Sequence, residues 1–368
     1  MAAPTGIQVT KTYLPPLDTY QALLREVWER GWVTNNGPLV RELERQLAQR
    51  LGAPYFAYTA NGTVALQLLF RAFELQGSVV TTPFSYVATT NALLWEGLEP
   101  VFADIDPRTL QLDAASVAAR IRPDTTAILA THVYGYPSDH AALKRVAEEH
   151  GLKLLYDAAH AFDSRVEGRQ IGTWGDGATY SFHATKYFHT IEGGGIVLHD
   201  ADAAERLQLL RAFGHEGRDY RALGINGKNS EFHAGIGLLN LPLLPEVLAG
   251  RKALYAHYRT GLSGLPLRIL SPADHEGLYY NYAYFPLLFE GNRQRERCVA
   301  ALEEARIFPR RYFEPALNQL PFLRSKQSCP VAEDAVSRVL CLPFYHQLAP
   351  SDADRILRII RQNLEPCA

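Results

Sequence analysis

Leu152-Lys153-Leu154-Leu155-Tyr156-Asp157-Ala158-Ala159-His160 is the stretch from which the architecture can be read. Its apolar half, Leu152 to Tyr156, reads as a buried strand that stops at an acid. Helical spacing over His140 to His150 leads into it. Outward from there the same alternation repeats. Upstream, Val40 to Leu51 and Thr63 to Leu75 read as helices, and Ser78 to Thr82, Leu98 to Ile105 and Thr126 to Val133 as strands. Downstream, Thr179 to Phe182 and Gly195 to Leu198 read as strands flanking a loop. Strands alternating with helices predict an α/β layer with a mainly parallel sheet flanked by helices.

The pattern changes near Gly235 to Pro245. A long helix over Glu246 to Leu262 is expected, then strand-like Tyr279 to Leu288, then helices over Gln294 to Ala305 and Asp352 to Asn363. This predicts a large domain over residues 1–240 and a smaller α+β domain over 241–368, a division that suits 368 residues.

The composition narrows the function classes. Charged residues make up 21% and nearly cancel to a formal net charge of -2, with no basic stripe for nucleic acid. No apolar run is expected to span a bilayer, and Met1 to Lys11 lacks the basic start and apolar core of a signal peptide. Cys298, Cys329, Cys341 and Cys367 form no metal-binding spacing, so no metal site is expected. They read as free thiols of a cytoplasmic protein. The P-loop, the dinucleotide fingerprint, HExxH and GxSxG are all absent.

Four clusters carry chemistry. Thr59-Ala60-Asn61-Gly62-Thr63 leads into a helix whose free N–H groups suit a phosphate, although alone it is an ordinary cap. Thr82-Pro83-Phe84-Ser85-Tyr86-Val87-Ala88-Thr89 places an aromatic after a strand, where it can stack on a flat heterocycle or simply fill a core. Asp157 ends its strand where open α/β sheets bind ligands; it could pair with a pyridinium N–H or cap a helix. Lys186, in Ser181-Phe182-His183-Ala184-Thr185-Lys186, lies in a loop before Glu192-Gly193-Gly194-Gly195. A lone lysine is normally solvated, but one with a lowered pKa forms imines. In this order the four supply what pyridoxal phosphate (PLP) needs: a phosphate cradle, a stacking ring, an acid for the ring nitrogen and an imine-forming lysine.

The segments ANGT (60–63), TPFSYVATT (82–90), DAAHAF (157–162), SFHATK (181–186) and EGGG (192–195) together resemble the DegT/DnrJ/EryC1/StrS family of sugar aminotransferases. The resemblance extends from Trp32 to Pro38 near the start to Leu340 to Tyr345 near the end, and includes Arg310-Arg311-Tyr312-Phe313. It implies PLP fold type I. It also implies that Lys186 holds the cofactor as a Schiff base and shuttles the proton, while Asp157 binds the pyridine nitrogen. His160 would sit at the ring's hydroxyl edge and Tyr86 on its face. Gly62, Thr63 and Ser181 would hold the phosphate, and Asn226 would reach the cofactor of a partner in a homodimer with shared sites. Thr34, Phe188, His189, His215 and Tyr312 are the implied substrate contacts. Many relatives have Gln at the place of His160, and an aromatic, Arg and Met where Gly227, Lys228 and Asn229 follow Asn226.

Within the family, DAAHAF with SFHATK and FHTIEGG is most similar to members forming dTDP-4-amino-4,6-dideoxyglucose. The resemblance then implies transfer of the amine of L-glutamate to dTDP-4-dehydro-6-deoxy-D-glucose, in O-antigen or related glycan synthesis. Alternatives are a 3-keto sugar or a UDP- or GDP-linked one. Sugar dehydratases on this scaffold carry His in place of the lysine, which Lys186 argues against. A catalytically silent regulator on the same scaffold is the reading from another class.

Overall fold

The computed structural model describes residues 6–364. Cys367 and the first five residues of the segment read for a signal peptide lie outside that range. Ile7–Gln8 forms a short strand, β1. The strands of the main sheet begin with β2 (Tyr55–Thr59), β3 (Ser78–Thr81), β4 (Glu99–Phe102), β5 (Thr125–Thr131) and β6 (Lys153–Asp157). A small hairpin, β7 (Arg165–Val166) and β8 (Arg169–Gln170), precedes β9 (Gly177–Ser181) and β10 (Gly194–Leu198). The main sheet has seven strands in the order β2-β10-β9-β6-β5-β3-β4. It is parallel from β9 to β4, and β10 runs antiparallel to both of its neighbours. The mainly parallel sheet predicted from the alternation is therefore present. Its one reversed strand, β10, follows a connection over residues 182–193 that forms a loop and no crossover helix.

Helices α1 (Leu17–Arg30), α2 (Pro38–Leu51), α3 (Gly62–Ala72) and α4 (Val87–Trp95) occupy the first quarter of the chain. Proline at the first position of α2 and a left-handed Gly52 after its end delimit that helix. Its first turn is also held from a distance. The fully buried Glu231 carboxylate accepts from the Leu39 and Val40 N–H groups at 3.0 and 2.9 Å. α3 buries Ala65, Leu66, Leu68, Leu69 and Phe70 against β9 and β10. Burial of roughly 1.5–3 kcal/mol per large apolar side chain holds it there.

The C-terminal third adds a three-stranded antiparallel sheet of Leu267–Ile269, Pro286–Phe289 and Val339–Cys341. Helices Asn292–Glu304 and Pro350–Leu364 pack against each other beside it. The expected strand over Tyr279 to Leu288 is divided. Leu278–Tyr279 pairs with β7 and Pro286–Phe289 with the small sheet. Between them the chain turns inward so that the buried Asn281 amide donates to the carbonyls of His160 and Phe162 at 2.8 and 2.9 Å. A periodicity reading could not see that polar tether.

The helical stretch Glu231–Gly261 is long and apolar enough, by length and composition, to cross a membrane. Its apolar character has a second source here. Helix Glu231–Asn240 packs against α1 and α2, and the stretch carries the buried polar side chains Glu231, Asn240 and Arg251. Cys298, Cys329 and Cys341 are buried free thiols.

Candidate active site

The carboxyl ends of β2, β5, β6 and β9 and the amino end of β10 meet at one edge of the sheet. Thr131 pairs with Asp157, Asp157 with Thr179, and Gly194 with both Thr59 and Ser181. A cavity of ≈ 590 Å³ opens there, a size suited to a small molecule or cofactor. It gathers Gly62, Thr63, Tyr86, Asp157, His160, Ser181, Lys186 and Tyr312 from the sequence-predicted set.

One wall is the start of α3. The Asn61 side chain caps the helix by accepting from Val64 N–H at 2.9 Å, and the Asn61 carbonyl takes Ala65 N–H. Among the described residues the N–H groups of Gly62 and Thr63 have no acceptor. Glycine at 62 keeps the turn against β9, since a Cβ there would stand 3.1 Å from that of Ser181. Gly194 is more tightly constrained. Its Cβ would stand 2.7 Å from Thr59 Oγ1 and closer still to the Asn61 carbonyl. Asn229 ties the loops together, its amide donating to the carbonyls of Thr59 and Glu192 at 3.3 and 3.0 Å.

The floor holds a carboxyl and an amine. Asp157 is buried; its Oδ2 accepts from Thr89 Oγ1 at 2.7 Å and its Oδ1 from Ala159 N–H at 3.1 Å. Burial pushes the carboxyl above its ordinary range, while the Thr89 hydroxyl, the Ala159 N–H and the Lys186 ammonium pull it back. Lys186 is half-buried in the β9–β10 loop, which is closed by Phe182 N–H to Gly193 O at 2.8 Å and Thr190 N–H to Phe182 O at 2.9 Å. Lost hydration lowers its ammonium to about 8 against the opposing pull of Asp157. A lysine with that pKa is substantially neutral, hence nucleophilic, near physiological pH.

His160 is buried, and burial, then the Lys186 charge, hold it well below the ordinary histidine range. The Tyr134 N–H donates to its Nδ1 at 3.2 Å, so the neutral ring carries its proton on Nε2 as a donor. The ring lies parallel to Phe313 at 5.7 Å and edge-on to Tyr284 at 4.8 Å. Tyr86, 56% exposed, stands in the cavity wall.

The other predicted residues lie elsewhere in the chain. Phe188 is buried against Phe162 at 4.8 Å. His189 is fully buried, with Nε2 at 2.8 Å from Tyr13 O and Nδ1 accepting from Ile191 N–H at 3.2 Å. Thr34 is exposed beside Asn35 and Asn36, both at positive φ. His215 is exposed on a hairpin against Tyr220, and Asn226 is also exposed. None of these five lines the cavity. The reading missed Ser85, Thr89, Thr131, Tyr284, Phe313 and Asn229. Ser85 and Thr89 stood in the quoted TPFSYVATT stretch with the four-residue spacing of a helix face, a signal that could have found them.

The donor set fits PLP: unpaired N–H groups at a helix start for a phosphate, a buried carboxylate for a ring nitrogen, a flat wall and a lysine of lowered pKa. The comparisons agree. A family model described as the DegT/DnrJ/EryC1/StrS aminotransferase family matches residues 18–361. A dTDP-4-amino-4,6-dideoxy-D-glucose transaminase of Shigella dysenteriae is 38% identical over 363 residues, covering 97% of this chain and 98% of the relative. A protein of the same name from Escherichia coli is 34% identical, covering 96% and 98%. The crystal structure of DesI in the presence of its TDP-sugar product superposes with a TM-score of 0.92 at 36% identity, covering 98% of this chain and 93% of that one.

Proposed function

The chain belongs to the DegT/DnrJ/EryC1/StrS aminotransferase family, an enzyme family dependent on pyridoxal phosphate, and from that premise we propose a transaminase acting on dTDP-4-dehydro-6-deoxy-D-glucose. L-Glutamate gives the amine, and dTDP-4-amino-4,6-dideoxyglucose is the product. The observation that carries the reading is the single cavity joining Lys186, Asp157 and the first turn of α3. Similarity to relatives named for that sugar supports the substrate.

When bound, PLP supplies an electron-withdrawing ring. The Asp157 carboxylate would hold the proton on the ring nitrogen, and His160 Nε2–H would serve the ring hydroxyl. Tyr86 would line the ring's site. Gly62 and Thr63 N–H, with the Ser181 hydroxyl, would hold the phosphate. Lys186, whose amine is brought toward neutrality by burial, would hold the cofactor and would serve as the site's general acid and base.

A second cavity of ≈ 920 Å³ shares Ser85, Tyr86, Tyr312 and Phe313 with the first and gives the nucleotide arm a path outward. Its exposed Arg310 has no ion pair among the described residues, whereas Arg311 is tied to Glu296 and Glu314. We assign Arg310 to the substrate's diphosphate.

We infer that Thr34, His215 and Asn226 serve the neighbouring site of a homodimer. The exposed apolar side chains Trp28, Trp32, Phe213, Leu223 and Ile225, near those residues in sequence, support such an interface. Phe188 and His189 act on substrate only through the loop they anchor. A cytoplasmic location, a role in O-antigen synthesis and a division near residues 240 and 241 complete the proposal. Separate apolar clusters around Leu154 and around Phe285 support the division, although β1 pairs with Ile307–Phe308 of the smaller unit.

The test is an absorbance spectrum of the protein with PLP, then L-glutamate, then dTDP-4-keto-6-deoxyglucose. A visible band bleached by glutamate and restored by the sugar is expected. Bleaching without restoration would refute the sugar assignment and favour 3-keto, UDP- or GDP-linked substrates. No visible band would refute the cofactor assignment and favour a silent scaffold.

A further inference from the structure

We propose that Thr131, Ser85 and Thr89 form a one-way chain of hydroxyl donors that ends on the Asp157 carboxylate, making Thr89 a positioning residue of the site. The inference rests on the PLP reading only for its consequence; the chain itself is a property of the protein.

The four residues come from three elements. Thr131 ends β5, Asp157 ends β6, and Ser85 and Thr89 flank the start of α4 one helical turn apart. Thr131 Oγ1 lies 3.2 Å from Ser85 Oγ, Ser85 Oγ 2.8 Å from Thr89 Oγ1, and Thr89 Oγ1 2.7 Å from Asp157 Oδ2. All three hydroxyls are at most 2% exposed. An ionised carboxylate only accepts, so Thr89 must spend its single proton on Asp157. The 2.8 Å contact then obliges Ser85 to donate to Thr89, and Thr131 to donate to Ser85. A protonated Asp157 could give its proton to Thr89 and reverse the chain. Among the described residues, Ser85 Oγ is the sole acceptor for the Thr131 hydroxyl. Reversal would therefore strand that proton without a protein acceptor, which is costly for a buried group.

The direction of the chain thus favours the ionised acid, which the ring nitrogen requires. It works against burial, which favours the neutral acid. The titratable group whose charge acts on Asp157 is Lys186, whose ammonium also favours the carboxylate; His160, which lines the same cavity, is kept neutral by burial. Successive hydroxyls polarise one another, so the effect of each link should fade with its distance from the carboxyl.

The experiment is an infrared pH titration of the PLP-free protein. The Asp157 carboxyl band is identified by its loss in Asp157→Asn. Thr89→Val keeps the shape and removes the donor; it should raise the protonation midpoint by about one unit or more, a tenfold change in the equilibrium. Thr89→Ser should restore it. Ser85→Ala and Thr131→Val should move the midpoint the same way by successively smaller amounts. A purely structural role would lower stability in denaturant and leave the midpoint in place, and that result overturns the proposal. If Thr89→Val does not fold, an unmoved midpoint in Ser85→Ala overturns it equally. The cofactor reading is tested apart, by the visible band of the wild-type protein with PLP.

Discussion

Gly194→Ala should loosen the cofactor site without touching any group that would contact the cofactor. The added Cβ would stand 2.5 Å from the Asn61 carbonyl carbon and 2.7 Å from Thr59 Oγ1. Ordinary carbon contacts need about 3.5 Å, so the 59–61 loop must recede by about 1 Å. It cannot recede alone, since the Asn61 carbonyl and side chain carry the first bonds of α3. The Gly62 and Thr63 N–H groups move with it. A hydrogen bond near 2.9 Å stretched by that amount leaves the bonding range. Losing one charge-assisted bond of about 1.5–3 kcal/mol weakens PLP binding roughly ten- to a hundredfold. Overpacking should also lower stability by about 1–3 kcal/mol. Urea denaturation of the PLP-free protein and a PLP titration read by absorbance measure the two effects. Wild-type affinity in a variant of lowered stability would refute the coupling between Gly194 and the phosphate turn. Wild-type values of both would refute the geometry.

Lys186→Ala should abolish turnover while leaving noncovalent PLP binding detectable by equilibrium dialysis; appreciable turnover would remove the lysine from its role. With its ammonium lowered to about 8, Lys186 of the PLP-free protein should react with PLP at a rate that rises with pH to a midpoint near that value. Stopped-flow absorbance reads this, and Asp157→Asn should move the midpoint lower by removing the charge that opposes the shift. His132 and His189, lowered by burial to about 3 and about 4, join His160 in staying unprotonated in the fold. The unfolded chain protonates all three near pH 6.5, so stability should be full above that pH. It should fall as pH drops, by at most about 4 kcal/mol per unit from the three together, as urea midpoints at stepped pH will show. Arg310→Ala should raise KM for the nucleotide sugar about tenfold or more, with KM for glutamate little changed; equal effects on both would place the arginine outside the nucleotide path.

Much of the fold was legible along the chain. The strands at Val79, Leu129, Leu155 and Val197 and the helix ended by Gly52 follow from local periodicity and capping, which act over a few residues. The split of Tyr279 to Leu288 was not legible. It depends on Asn281 reaching carbonyls about 120 positions away, a contact without local signature. At the site, Lys186, Asp157, Tyr86 and the 61–63 turn stood out because each pairs an unusual side chain with a strand or helix end. Phe188 and His189 stood beside the lysine in sequence, yet the loop turns them into the core.

By itself the sequence determined the alternating layer, the reactive lysine, the acid at a strand end and the family they resemble. Residue type and short-range spacing encode those features directly. Tertiary structure alone decided the order of the strands, the reversal of β10 and the hydroxyl chain that meets Asp157 across 68 positions. It also decided which nitrogen of His160 carries the proton, through the Tyr134 N–H. Those depend on the direction of a hydrogen bond between residues distant in sequence, and direction exists only once the chain has been brought together in space.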